Sequence, residues 1–182
     1  MEQYLIERAQ RGDQSAFAEL APGLGDRLYA VAHRILRDRE LAGDVAQQTL
    51  IKVWRELPSL RGADHFDGWS YRLVVNACFD ELRRRRRTGP DLALLETDDV
   101  TPDVQLSVAD RDQLDRGFER LSPDHRAVIV LTYYLDYTAP EISRVLGVPV
   151  GTVRSRLHYA KQALRAALEA DRRPALDARE WA

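Results

Sequence analysis

The sequence predicts an all-α protein made of two small helical domains joined by an acidic, flexible linker. Three observations carry that prediction. Apolar residues recur every three or four positions through most of the 182 residues, and no segment shows βα alternation, an internal repeat or a glycine-rich phosphate loop. Residues 88–106 break the pattern with Gly89, Pro90, Pro102, five acids (Asp91, Glu96, Asp98, Asp99, Asp103) and no Lys or Arg. Finally, residues 138–164 hold two helical periods separated by a tight turn at Gly147 and Pro149.

In chain order, Tyr4, Leu5, Ile6 and Ala9 mark a short first helix that Gly12 stops. Asp13 restarts helix with Phe17, Leu20 and Leu24, and Pro22, Gly23 and Gly25 then predict a kink or break. Leu28, Val31, Ala32, Ile35 and Leu36 form the next apolar stripe. Asp38 caps a helix running to about Leu57, with Leu41, Val45, Thr49, Val53 and Leu57 spaced by four. Its outer side carries Asp44, Gln47, Gln48, Lys52 and Arg55, which suit either a solvated surface or a partner-docking face. Pro58 ends it, and residues 59–65 read as a loop. A helix from about Asp67 follows, with Trp69, Leu73, Ala77 and Leu82 able to face a core. It ends in five consecutive arginines, residues 83–87. The helix macrodipole favours basic residues there, yet five exceed what capping requires, so phosphate contact is the stronger reading. Trp69, Tyr71, Arg72 and Asn76 precede that run, a mixture suited to stacking on unpaired bases and equally to ordinary core packing.

Past the linker, two helices are predicted over 106–120 and 122–135, the second with Ser122 at its N-cap, Pro123 in its first turn and the stripe Val128, Leu131, Leu135. Thr138 then caps a short helix, with Pro140 in the first turn and Glu141 as capping-box partner, and Gly147 ends it. In the helix beginning at Val150, the residues Val153, Leu157, Ala160 and Leu164 share an apolar stripe. The opposite side carries Thr152, Ser155, His158 and Tyr159 with Arg154 and Arg156 on its flanks, donors suited to groove edges and phosphates. These are the parts of a helix-turn-helix; an αα-hairpin with a solvated basic face has the same elements. The domains are therefore expected at 1–87 and 107–170, with a frayed tail at 171–182.

The formal net charge of -2 hides an uneven distribution. Residues 1–87 hold 15 Lys and Arg against 13 acids, and the acidity is concentrated in 88–106. No apolar run reaches the roughly 18 residues a membrane span needs, and no apolar signal core begins the chain, so no membrane insertion and a cytoplasmic location are expected. The lone Cys78 excludes an internal disulfide and a Cys-rich zinc site. His33, His65, His125 and His158 are scattered, no nucleophile motif appears, and neither an enzyme nor a cofactor is expected.

Four stretches resemble a known family in order and spacing: RGDQSAFAEL from Arg11, DVAQQTLIKVWREL from Asp44, FDGWSYRLVVNACFDELRRRRR from Phe66, and LSPDHRAVIVL followed by GVPVGTVRSRL. The chain resembles a bacterial group IV (extracytoplasmic function, ECF) RNA polymerase sigma factor of the sigma-70 family over nearly its whole length. The resemblance implies a σ2 domain, a σ4 domain, and as partners core RNA polymerase, promoter DNA and an anti-sigma factor. It implies that Asp44, Gln47, Gln48, Lys52 and Arg55 dock on the clamp helices of the largest polymerase subunit, with the flap as a second contact. Ser59, Arg61, Gly62 and Asp64, with Asn76 behind them, would capture a flipped base of the -10 element; Arg72 and the arginines from Arg83 and Arg84 to Arg87 would hold the adjacent backbone, and Trp69 belongs to the same -10 contact set. Thr152, Arg154, Ser155 and Arg156 would read the -35 element as duplex; the family often has Arg where this chain has Tyr159, with Lys161 as the nearest replacement. A stand-alone helix-turn-helix regulator is the alternative, which leaves the Asp44 helix and the arginine run without a purpose.

Overall fold

A computed structural model describes residues 2–88 and 108–177. Eight α-helices and no strand occur among the described residues, and they fall into two compact units. The acidic linker predicted from the sequence lies almost entirely outside the described residues.

The first unit contains α1 (Glu2–Gln10), α2 (Gln14–Leu36), α3 (Arg39–Glu56) and α4 (Phe66–Thr88). Gly12 adopts φ +88, a left-handed conformation without Cβ strain, and Asp13 then caps α2 by accepting the Ala16 N–H at 3.0 Å. Contrary to the predicted kink or break, α2 is continuous through Pro22. Pro22 and Gly23 are exposed, so the missing hydrogen bond falls on the solvent side, while Leu20, Leu24 and Leu28 are buried and hold the helix to its neighbours. Arg37, at φ 57, ends α2, and one residue later Asp38 starts α3 by accepting the Leu41 N–H at 2.9 Å. The predicted stripe is buried, Leu41, Val45, Thr49 and Val53 on α3 and Leu57 just past its end, and the Thr49 hydroxyl donates to the Val45 carbonyl at 2.7 Å. The phase of α4 differs from the prediction. Its buried face is Phe66, Ser70, Val74, Val75 and Cys78, whereas Trp69, Leu73, Ala77 and Leu82 are half-buried on its shoulder. Ser70 can be buried because its hydroxyl donates to the Asp67 carbonyl at 3.0 Å.

The second unit contains α5 (Val108–Glu119), α6 (Pro123–Tyr133), α7 (Ala139–Leu146) and α8 (Val150–Asp177). Its centre is α6, buried from Arg126 through Leu131. Ser122 caps it as predicted, but the helix stops at Tyr133, so Leu135 lies in the following turn beside Asp136 at φ 53. Gly117 lets α5 approach α8 closely: a Cβ there would stand 2.7 Å from Cδ1 of Leu164. The long α8 continues to Asp177, so residues 171–177 are helical where the sequence suggested a frayed tail; residues 178–182 lie outside the described residues. No described helix is long and apolar enough to cross a membrane.

Candidate nucleic-acid interface

In the second unit the turn between α7 and α8 is fixed from both ends. Thr138 donates its hydroxyl to Glu141 Oε2 at 2.6 Å, and its N–H reaches the same oxygen at 2.8 Å. Those bonds hold the Glu141 carboxylate below its ordinary range. Gly147, at φ 65, returns its N–H to the Ser143 carbonyl at 3.0 Å, and Ser143 Oγ donates to the Val148 carbonyl at 2.6 Å. On α8, Val153 and Ala160 are fully buried and set the helix rotation. Arg154, Ser155, His158, Tyr159 and Lys161 are thereby exposed together, and Thr152 is half-buried. Two predicted readers are not free side chains. Arg156 Nη1 lies 3.0 Å from Oδ1 of Asp124 on α6, and Lys161 Nζ sits over the Tyr133 ring, 5.2 Å from its centroid.

In the first unit the burial of the α3 stripe leaves Asp44, Gln47, Gln48, Lys52 and Arg55 exposed on one side. Ile51 stands among them at 54% exposure, and the sequence reading passed over it. It is out of phase with the buried stripe, which was the available signal. Beside it, Gln14, Phe17, Ala18, Leu50, Ile51 and Trp54 line an apolar groove of about 300 Å³, with the Phe17 and Trp54 rings 4.8 Å apart.

The predicted loop is bounded by two 3-10 turns, Leu57–Ser59 and Ala63–His65. Gln10 at the end of α1 donates its side-chain amide to the Leu60 carbonyl at 3.0 Å. Gly62 has φ +84, a backbone conformation that favours glycine, and a Cβ there would meet the exposed Asp64 carboxylate. Ser59, Arg61 and Asp64 are exposed. On α4, Trp69, Arg72, Asn76, Arg83 and Arg87 follow one another at three, four or seven residues and so share a face.

The arginine run does not act as one block. Arg83 pairs with Asp80 on its own turn. Arg84 makes two bonds to Glu81, both 2.7 Å, while Arg85 bridges Glu81 at 3.4 Å and Asp38, the α3 cap, at 3.2 Å. Arg84 and then Arg85 hold the Glu81 carboxylate below its usual range. Arg83 and Arg87 therefore continue the Asn76 face, whereas Arg84 and Arg85 turn toward acids that include the start of α3. Cys78, on the buried face of this helix, has its thiol pushed up to about 12 by burial, which leaves almost no thiolate at neutral pH. Among the described residues no group of three or more His, Cys, Asp or Glu side chains could hold a metal ion.

Two helical units, one with a loop and a basic helix end and one with a helix-turn-helix, are the elements of a helical nucleic-acid-binding class of protein. Residues 23–88 match the Sigma-70 region 2 model and residues 111–164 the Sigma-70, region 4 model. The chain belongs to the ECF RNA polymerase sigma factors of the sigma-70 family. It is 30% identical to the ECF RNA polymerase sigma factor SigW of Bacillus subtilis over 88% of this chain and 92% of that one. It is also 32% identical to the RNA polymerase sigma-H factor of Pseudomonas aeruginosa, over 92% and 94%. Among solved structures, CnrH in complex with the cytosolic domain of CnrY matches with TM-score 0.65 and 29% identity over 93% of this chain and 98% of that one. RpoE from Bartonella quintana, in complex with the anti-sigma factor NepR, matches in fold with TM-score 0.70 and 24% identity, over 85% and 98%.

Proposed function

We propose that this transcription initiation factor binds core RNA polymerase in the cytoplasm and directs it to promoters by two separate readings of DNA. The second unit reads the -35 element as duplex through Thr152, Arg154, Ser155 and Arg156, with Tyr159 and Lys161 beside them. The first unit receives a base of the melted -10 element between the 59–64 loop and Trp69, Arg72 and Asn76, while Arg83 and Arg87 hold the backbone. The observation that carries this reading is the coincidence of family order with exposure: the faces of α4 and α8 that carry these residues are the ones the core leaves open. Unstacking a base costs a few kcal/mol, and a pocket that fits only one base turns that cost into selectivity. Tethering two weak readers raises the effective concentration of the second once the first is engaged.

Polymerase docks on the outer side of α3, through Asp44, Gln47, Gln48, Lys52 and Arg55 on the clamp helices, with the flap meeting the second unit. An anti-sigma factor, like the partner in the NepR complex, controls access to these surfaces. The chain supplies recognition and no catalytic group of its own. Co-elution with core polymerase tests the docking side: Asp44→Arg with Gln48→Arg abolishes it while helicity is retained, and unchanged co-elution would refute the assignment.

A further inference from the structure

Arg154 and Arg156 stand two residues apart on α8, yet the fold treats them differently. Arg154 is exposed and has no ion-pair partner among the described residues. Arg156 retains 27% exposure, and its Nη1 meets Asp124 Oδ1 at 3.0 Å. Asp124 lies in the first turn of α6, whose start is set by Ser122 and Pro123 and whose body is buried. A rigid element thus delivers the carboxylate, and the helix dipole favours its charge at that end. Guanidinium presents its donors in a planar fork, so an ion pair on the Nη1 side leaves the Nε and Nη2 edge, a pair of parallel donors able to meet guanine O6 and N7.

We propose that Asp124 is a specificity-determining residue for duplex reading: it holds Arg156 by Nη1 so that the other guanidinium edge addresses a base pair, and its charge keeps phosphate off that guanidinium. The proposal rests on α8 being the groove helix. An arginine without such a partner takes the nearest phosphate, which adds affinity on every sequence and information on none. Holding the side chain before DNA arrives also lowers the ordering cost of binding. Because the pair is partly exposed its effect belongs to recognition, with little on folding.

The test is equilibrium binding of holoenzyme carrying Asp124→Ala to a promoter and to single-base-pair variants of its upstream element, at several salt concentrations. The preference at one upstream position is expected to fall about five- to tenfold, at the lower end of the range a bidentate contact supplies, and the log-log salt slope to steepen by about 0.9 as one phosphate contact is gained. Asp124→Asn, which keeps the shape at the helix start, shows the same loss with unchanged thermal unfolding. In an Arg156→Ala background neither substitution alters preference. Unchanged preference in both variants, or the same change without Arg156, overturns the proposal. Arg154→Ala serves as the separate control: it relaxes a different upstream position, and if it alters none, the groove assignment of α8 fails and the proposal with it.

Discussion

Removing Arg83 and Arg87 together should act on DNA binding quite differently from removing Arg84 and Arg85. The first pair shares the α4 face of Trp69, Arg72 and Asn76, whereas the second is tied to Glu81 and Asp38. If Arg83 and Arg87 each neutralise one phosphate, their loss flattens the salt slope of promoter binding by about 1.4 on single-stranded and about 1.8 on duplex DNA. A fourfold rise in salt then shrinks the advantage of the unaltered holoenzyme by about 7- to 12-fold. Arg84→Ala with Arg85→Ala should change the slope by less than half as much, and should lower thermal stability, because Glu81, only 12% exposed at its side chain, loses both partners. Fluorescence anisotropy of holoenzyme on labelled promoter across a salt series, beside thermal melts, measures both quantities. Equal flattening by the two pairs, or a changed base preference in either, would refute the division of the run.

Gly117→Val should destabilise the second unit by about 1–3 kcal/mol through overpacking against Leu164, whereas Gly117→Ala gains helix propensity that offsets the smaller clash; chemical denaturation of both compares them. Glu81 has a lowered folded pKa, so its contribution is present above its ordinary value of 4.5 and is lost as pH falls through the lower folded value. Glu81→Gln should therefore weaken the dependence of the melting temperature on pH in the acid range below 4.5, and an unchanged acid limb would contradict the ion-pair account.

The stripe from Leu41 to Leu57 was legible in the sequence because each of its five residues meets the core at the same phase, and the Asp38, Ser122 and Thr138 caps because capping is local chemistry. The α2 break was misread for a physical reason: proline costs a helix one bond and some room, and here both fall on solvent. The phase of α4 was misplaced by about one residue because Trp69 looks more apolar than Ser70, whose hydroxyl is satisfied within its own helix. The pairing of Arg85 with Asp38 and of Arg156 with Asp124 was not legible at all. Those partners lie 47 and 32 residues apart and meet only once the helices pack. The exposure of the predicted promoter-facing residues follows from helical phase, while their electrostatic environment is a tertiary fact.

The division of labour between the two units is tested most directly by permanganate footprinting of the melted region, run beside a binding assay on -35 duplex, for holoenzymes carrying Asn76→Ala or Arg154→Ala. Asn76→Ala should leave duplex binding near normal and depress strand opening, because the base site proposed at Asn76 would no longer offset unstacking. Arg154→Ala should weaken duplex binding and relax one upstream position by roughly 1 to 3 kcal/mol of discrimination. If Asn76→Ala instead lost duplex affinity while open complexes formed normally, the assignment of the two readings to the two units would be wrong.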